Sequence, residues 1–420
     1  MTTAISPAPA PRSALLSPVL LAGCAIILIS FAIRAAFGLF QIPMAESFGW
    51  LRAEFSLAIA IQNLAWGFGQ PLFAMIAERW GERRALALGA VTYAVGLALS
   101  SQAVTPEGHQ LLNVLIGFGI AGTGFGVILA MVGRATPESH RSMALGIATA
   151  AGSAGQVVGP PVVERLLASG GIDFTFLALA GIALTVLLLL PLLRAPQAPA
   201  GTGAEASFAQ VMGGALRDPS YTLIFLGFFS CGYQLGFITA HFPAFVAEVC
   251  GPIDPAGLLA GLGLSSTVQL GAWAIALIGL ANIVGTLVAG ALGSRLSRKY
   301  LLSAIYVGRA AASALFIWAP MTPTTVLLFS VAMGALWLAT VPLTAGLVGH
   351  IWGMRYMGTL YGIVFLSHQL GSFAGVWLGG ALYDVYGTYD AVWWIGVGIG
   401  LFSAVVHLPV NERSRAVLAA

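Results

Sequence analysis

The sequence predicts an all-α membrane protein of twelve transmembrane helices in two pseudo-symmetric six-helix halves. Three observations carry that expectation. Of the 420 residues, 58% are hydrophobic and only 8% are Asp, Glu, Lys or Arg, against about 25% charged in an ordinary soluble domain. Such a chain has too little polar surface to face water all round, so lipid is its solvent. The apolar residues fall into twelve runs, each near or above the roughly 20 residues that cross hydrocarbon. Finally, a charged turn, Ala74 to Arg84 (AMIAERWGERR), returns 216 positions later as Gly290 to Lys299 (GALGSRLSRK). Gly290 falls on Ala74, Ser294 on Glu78, Arg295 on Arg79 and Lys299 on Arg83. A charged hinge at the same place in two halves marks a duplicated bundle.

Taken in order, residues 1–16 are rich in Pro and Ala and read as a cytoplasmic tail. The first apolar run, 17–42, is much longer than the roughly 7–15 residues of a signal-peptide core, so it is a retained span. Spans follow at 53–77, 84–104, 109–133, 142–167 and 173–193, completing a first half over 17–193. Residues 194–219 are the longest polar stretch and form the cytoplasmic linker. The second half, 220–409, holds spans at 220–248, 269–293, 300–319, 323–348, 356–384 and 388–409, and a second cytoplasmic tail covers 410–420.

The Arg and Lys distribution orients the bundle. With the N-terminus inside, the inner segments hold fourteen basic residues, among them Arg79, Arg83, Arg134, Arg295 and Lys299, and the outer segments only Arg52 and Arg165. The remaining two, Arg34 and Arg309, lie within spans. Both termini are therefore expected in the cytoplasm and the protein in the cell membrane, the inner one. The arginines are scattered singly through loops, with no basic stripe for nucleic acid. Cys24, Cys231 and Cys250 lack metal-type spacing and read as packing residues.

The duplication is visible away from the loops. At an offset of 216, Gly146, Ile147, Gly155 and Gly159 of span 5 fall on Gly362, Ile363, Gly371 and Gly375 of span 11. At an offset of 200, Phe37 and Pro43 of span 1 fall on Phe237 and Pro243 of span 7. Equivalent helices then surround one central axis, where a transport path would run.

Twelve spans in two sixes, a middle linker and the ERWGERR turn resemble the major facilitator superfamily, whose turn between helices 2 and 3 reads G-x-x-x-D-R-x-G-R-R. Ala74 and Glu78 replace its first Gly and its Asp, whereas Arg79, Gly81 and Arg83 match. The second copy keeps Gly290, Arg295, Arg298 and Lys299, with Ser294 and Ser297 in place of Asp and Gly. FGWLRAEFSLA (48–58), TAHFPAF in span 7 and LYGIVFLSHQLGSFAG in span 11 resemble bacterial members of the monocarboxylate-porter-like branch. The resemblance implies the major facilitator fold, with spans 3, 6, 9 and 12 as outer support and span 1 lining the cavity. Animal monocarboxylate porters carry an Asp and an Arg on helix 8, where this chain offers Asn282 and Thr286, a departure from their proton-coupling scheme.

Polar groups deep in a span are expensive and mark function. Arg34 stands about seventeen residues into span 1, near mid-bilayer at roughly 1.5 Å per residue, and shares a helical face with Phe37 and Gln41. Span 7 presents Ser230, Tyr233, Gln234, Phe237 and His241 on one face, and the repeat sets Gln234 opposite Arg34 and His241 opposite Gln41. Span 11 offers Tyr361, Phe365, His368 and Ser372. The expected substrate site is therefore Arg34, Phe37, Tyr233, Gln234, Phe237, Trp337 and His368, with His241 and His368 as proton-coupling or gating groups. No Asp or Glu lies in the middle third of a span, which leaves histidine, with its ordinary pKa of about 6.5, as the titrating group. Arg309, Asn63, Asn282 and Gln156 form a second tier of helix-joining or cavity-lining candidates, Arg309 more structural than substrate-binding. Glu78, Arg79, Arg83 and Arg295 are expected to form a cytoplasmic latch. Gly152, Gly155, Gly159 and Pro160 partly match the superfamily's antiporter pattern, but Val162 and Val163 interrupt it, and helix packing is the reading taken.

The function expected is secondary active transport of a small organic anion, a monocarboxylate, by rocker-switch alternating access, with proton symport as the coupling. The alternative is proton-driven efflux of a neutral or hydrophobic compound. No phosphate-binding loop points to ATP hydrolysis, and no nucleophile–base cluster points to an enzyme. No cofactor or metal is expected, and the lipid bilayer and the small-molecule substrate are the expected partners of a monomer.

Overall fold

The computed structural model describes residues 17–193, 208–353 and 357–414, without the side chains of residues 78, 138–143, 208–209 and 357–358. Among the described residues the regular structure is entirely helical. Twelve stretches of membrane length succeed one another. In the first half these are α1 (Pro18–Phe48), α2 (Arg52–Trp80), α3 (Glu82–Ser100), α4 (Pro106–Ala135), α5 (138–170) and α6 (172–192). In the second they are α7 (Pro219–Val249), α8 (Thr267–Gly293), α9 (Arg298–Trp318), α10 (Pro323–Trp352), α11 (Met357–Tyr386) and α12 (Asp390–His407). Among the described residues, 8 helical stretches qualify as membrane spans by length and composition, and one of them, Ala144–Leu192, runs through α5 and α6 together. The outer wall is apolar in the way lipid requires, with Leu111, Leu188, Trp318 and Leu328 exposed.

Local chemistry starts the helices where the chain reverses. Ser17, Thr105, Asp218, Ser266 and Thr322 each accept a bond from a first-turn amide, satisfying donors that have no helical partner. Pro occupies the opening turn of α1, α4, α7 and α10, where its missing N–H costs nothing. α5 and α6 meet at Gly171, whose φ of 72° is the left-handed backbone that glycine tolerates best.

Four helices are not continuous; α6 breaks at Thr185 and ends in a 3₁₀ turn over Leu190–Leu192. α1 tightens into a 3₁₀ turn over Phe37–Phe40 and runs on to Phe48, beyond the expected end at residue 42. α4 is interrupted at Gly124, and α10 between Leu336 and Thr340. A short helix, Phe208–Leu216, lies in the stretch read as linker.

The internal repeat appears as matched helix pairs. α5 lies on α1 so closely that a Cβ at Gly155 would stand 2.3 Å from Leu28 O, and one at Gly159 2.1 Å from Ala32 O. Their counterparts on α11 do the same to α7, with Gly371 against Phe229 O at 2.0 Å and Gly375 against Tyr233 O at 2.2 Å. Small residues thus let backbones meet where lipid gives helices no hydrophobic reason to associate. Leu28 and Ala32 pair in this way with Phe229 and Tyr233, an offset of 201 rather than the 200 read from Phe37 and Pro43.

Candidate functional site

Arg34 lies where α1, α2 and α7 come together. Its Nη2 donates to Asn63 Oδ1 at 3.3 Å, and the guanidinium stands 4.8 Å from the Trp66 ring centre. Asn63 is held by its own Nδ2, which donates to Ile59 O at 3.0 Å. Trp66 is fixed by its Nε1 bond to Gln70 Oε1 at 3.0 Å and by an edge contact with Phe365 of α11. Arg34 Nε is buried with no partner, and among the described residues no carboxylate pairs with this arginine. A cation in a bundle core with one long hydrogen bond and a free donor suits a visiting anion. A small cavity of about 10 Å³, room for about one water molecule, opens beside it among Phe37, Gly38, Gln62, Asn63, Gly236 and Thr239. Residues of α1 and α2 in the first half and α7 in the second therefore share its wall.

The expected partners on α7 turn elsewhere. Tyr233 donates its hydroxyl to Val392 O at 3.1 Å, and Gln234 donates Nε2 to Gly396 O at 3.0 Å, both on α12. With Phe237, Ser313 and Trp393 they line a second cavity of about 10 Å³ between α7, α9 and α12. Gln234 is thus not the group opposite Arg34. The glycine contacts explain why: around these positions the halves are related one residue out of the register assumed, which rotates a helical position by about 100°.

His241 is the centre of a network joining the two halves. Its Nε2 donates to Val376 O at 2.7 Å, since a carbonyl only accepts, and Nδ1 then accepts from Gln41 Nε2 at 3.1 Å or from the Tyr389 hydroxyl at 3.3 Å. Ser56 Oγ stands 3.4 Å from Nε2. Above it, Arg52 is paired with Glu248, donates to Tyr389 OH at 2.7 Å and lies 3.7 Å over the Tyr383 ring. Asp384 Oδ2 caps the amide of Ala53 at 2.8 Å. The bundle is therefore shut on the side where α1, α7 and α11 end and α2 and α12 begin. The sequence reading missed Arg52, Glu248, Asp384 and Tyr389, because charges at span ends are ordinary and nothing in the sequence pairs them.

His368 stacks on Phe365 with ring centres 5.1 Å apart, and its Nδ1 lies 3.1 Å from Gln369 Oε1. Trp337 is buried at the interruption of α10. Asn282 and Gln156 join the halves directly. Asn282 donates to Ser153 Oγ at 2.8 Å and accepts from Leu338 N at 2.9 Å, bracing the broken α10, while Gln156 Nε2 reaches Ile275 O at 3.5 Å. Arg309 is wholly buried and donates to Cys231.

Of the four residues assigned to a latch, the side chain of Glu78 lies outside the described residues. Arg83 donates to Leu193 O at 2.7 Å and Pro191 O at 3.1 Å, tying α3 to the end of α6 within one half. Arg79 is exposed beside Trp80, and Arg295 is exposed. Arg134 of α4 pairs with Glu82 of α3.

Comparison with known proteins matches this architecture. The family model of the Major Facilitator Superfamily matches residues 22–271 and 253–419. The chain is 26% identical over 407 residues to the uncharacterized MFS-type transporter YcxA of Bacillus subtilis, covering 91% of this chain and 92% of that protein. It is 28% identical over 360 residues to monocarboxylate transporter 12-B of Danio rerio, covering 80% and 74%. Among solved structures, the nucleoside transporter NupG superposes with a TM-score of 0.72 at 15% identity, over 93% of this chain and 99% of that one, a likeness of fold. The chain belongs to the major facilitator superfamily of membrane transporters.

Proposed function

We propose that this protein is a secondary transporter of a small organic anion, a monocarboxylate, working by alternating access with proton symport. Arg34 is the observation that carries the reading: a guanidinium between the halves with no acidic partner among the described residues and a free Nε. A carboxylate entering a low-dielectric path loses hydration that a fixed counter-charge replaces, and a planar fork binds both of its oxygens. The likeness to a protein named as a monocarboxylate transporter supports the same class. Phe37 and Trp66 bound the apolar part of such a substrate, and the cavity by Arg34 is the occluded remnant of its path.

The side closed by Arg52 and Glu248 is the outer face, with both termini in the cytoplasm, as the basic residues favour. The halves, 17–193 and 220–409, rock about the site as units joined through 194–219, and one chain suffices. Glu78, Arg79, Arg83 and Arg295 take part in closing the inner face. The test is uptake of a panel of labelled carboxylates into proteoliposomes with the parent and Arg34→Gln. Saturable uptake of one acid, lost in the variant, is the expected result. Movement of neutral hydrophobic compounds alone, undiminished in Arg34→Gln, would instead identify an efflux transporter with a structural arginine.

A further inference from the structure

The second half holds a buried cation of its own. Arg309, midway along α9, is fully buried, and among the described residues no carboxylate pairs with it. An arginine stays charged in a protein, and an uncompensated charge in a bundle core is strongly unfavourable. Its Nη1 donates to Cys231 Sγ at 3.4 Å and its Nη2 to Cys231 O at 3.5 Å, while Nε has no partner. The same sulfur lies 3.2 Å from Thr340 Oγ1. Thr340 opens the 13-residue second segment of α10, so the N-terminal end of a helix, where its dipole is positive, begins beside the thiol. The other ionisable groups within electrostatic reach of this site are His368 and Tyr361 from α11 and Tyr306 from α9, whose hydroxyl has no partner. A neutral thiol is a weak acceptor, whereas the guanidinium and the helix start beside this sulfur favour an anion. Arginine, a histidine and a helix N-terminus are the surroundings that hold cysteine as its thiolate.

We propose that Cys231 is a buried thiolate paired with Arg309, and that its protonation couples protons to transport. This rests on the organic-anion reading for its coupling role, though not for the ion pair itself. A proton added to S⁻ gives neutral S–H and releases Arg309 from its counter-charge, so the core gains one positive charge. A bound carboxylate returns the core to the net charge it held before protonation, and one proton then travels with one anion. α7 links the two places, since it carries Cys231 and, further along, Gly236 and Thr239 at the Arg34 cavity. No mid-span carboxylate is needed.

The test uses the full chain with Cys24→Ala and Cys250→Ala, leaving Cys231 as the single thiol, in lipid. The infrared S–H stretch reports its protonation directly and needs no reagent to reach it. Expected at neutral pH is no S–H band, with one appearing reversibly on acidification. An S–H band at neutral pH in this variant overturns the thiolate. In the same background Arg309→Met is expected to show the band at neutral pH. For coupling, accumulation of the transported carboxylate is measured against an imposed pH gradient in Cys231→Ser. Expected is a loss of gradient-driven accumulation of at least tenfold, and accumulation that still follows the gradient overturns the coupling role. If the parent moves no carboxylate, the organic-anion reading falls and takes the coupling role with it, while the infrared result still decides the ion pair.

Discussion

Arg52, in the first turn of α2, is paired with Glu248, in the last turn of α7, and so ties one half of the bundle to the other. Tyr389 accepts a further bond from the same guanidinium and Tyr383 stacks beneath it. An isolated exposed pair contributes about 0.2–1 kcal/mol, but this one is part of a network that joins the two halves. Removing it biases the equilibrium rather than the fold. Arg52→Gln is expected to open this side about fivefold or more, since 1–3 kcal/mol of coupling corresponds to about 5–150-fold. Spin-label distances between the ends of α2 and α11 read the shift. An unchanged distance distribution would assign closure to the helix contacts alone.

His241 sits beneath that pair with both ring nitrogens engaged by α1, α11 and the start of α12. Glutamine in its place keeps one donor and one acceptor without the titratable ring. His241→Gln is therefore expected to transport with a flattened pH dependence, while His368→Gln, away from this closure, changes substrate affinity. Transport rate against pH in both variants is the check. Identical pH profiles in parent and variants would remove histidine from the mechanism.

The glycine contacts make a prediction about stability. At Gly159 and Gly375 a Cβ would meet a backbone oxygen at 2.1 and 2.2 Å, and a backbone cannot step aside as a side chain can. Gly159→Val and Gly375→Val are each expected to destabilise by about 1–3 kcal/mol or more, read as a lowered thermal midpoint in detergent. Gly146→Ala, where a Cβ meets nothing within 4 Å, is the control expected to be silent. Equal loss in all three would mean that close approach does not set the effect.

These results divide what a sequence can reveal from what it cannot. The twelve spans were legible because lipid demands long apolar runs, and Arg34 was legible because a cation deep in such a run is costly and therefore conspicuous. The interruptions in α1 and α10 were not, because Phe37–Phe40 and Trp337–Ala339 are as apolar as their surroundings and only packing decides their backbone. Gln234 was set opposite Arg34 by a repeat counted one residue away from the one that the glycine contacts use. Cys231 read as packing because sulfur in an apolar run usually is, and its ionisable neighbours come from helices far away in sequence. Arg309, by contrast, was visible as a charge, though its partner was not.

The last prediction concerns how Arg34 receives its anion. Nη2 is spent on Asn63 across a long 3.3 Å bond, while Nε is free. A carboxylate approaching side-on would take Nε and Nη2 together and displace Asn63, so Asn63 acts as a placeholder that keeps the guanidinium aimed. Two consequences separate this arrangement from a simple positive charge. Arg34→Lys keeps the charge but loses the second donor of the fork, and one charge-assisted bond is worth about 1.5–3 kcal/mol, so affinity is expected to fall by about 10–150-fold. Asn63→Ala removes the competitor without touching the fork, so affinity is expected to hold or rise. Calorimetry on folded, purified variants with the transported acid measures both. Should Asn63→Ala weaken binding as much as Arg34→Lys does, then Asn63 is itself a ligand of the substrate, and the anion binds beside the guanidinium rather than across its Nε and Nη2 edge.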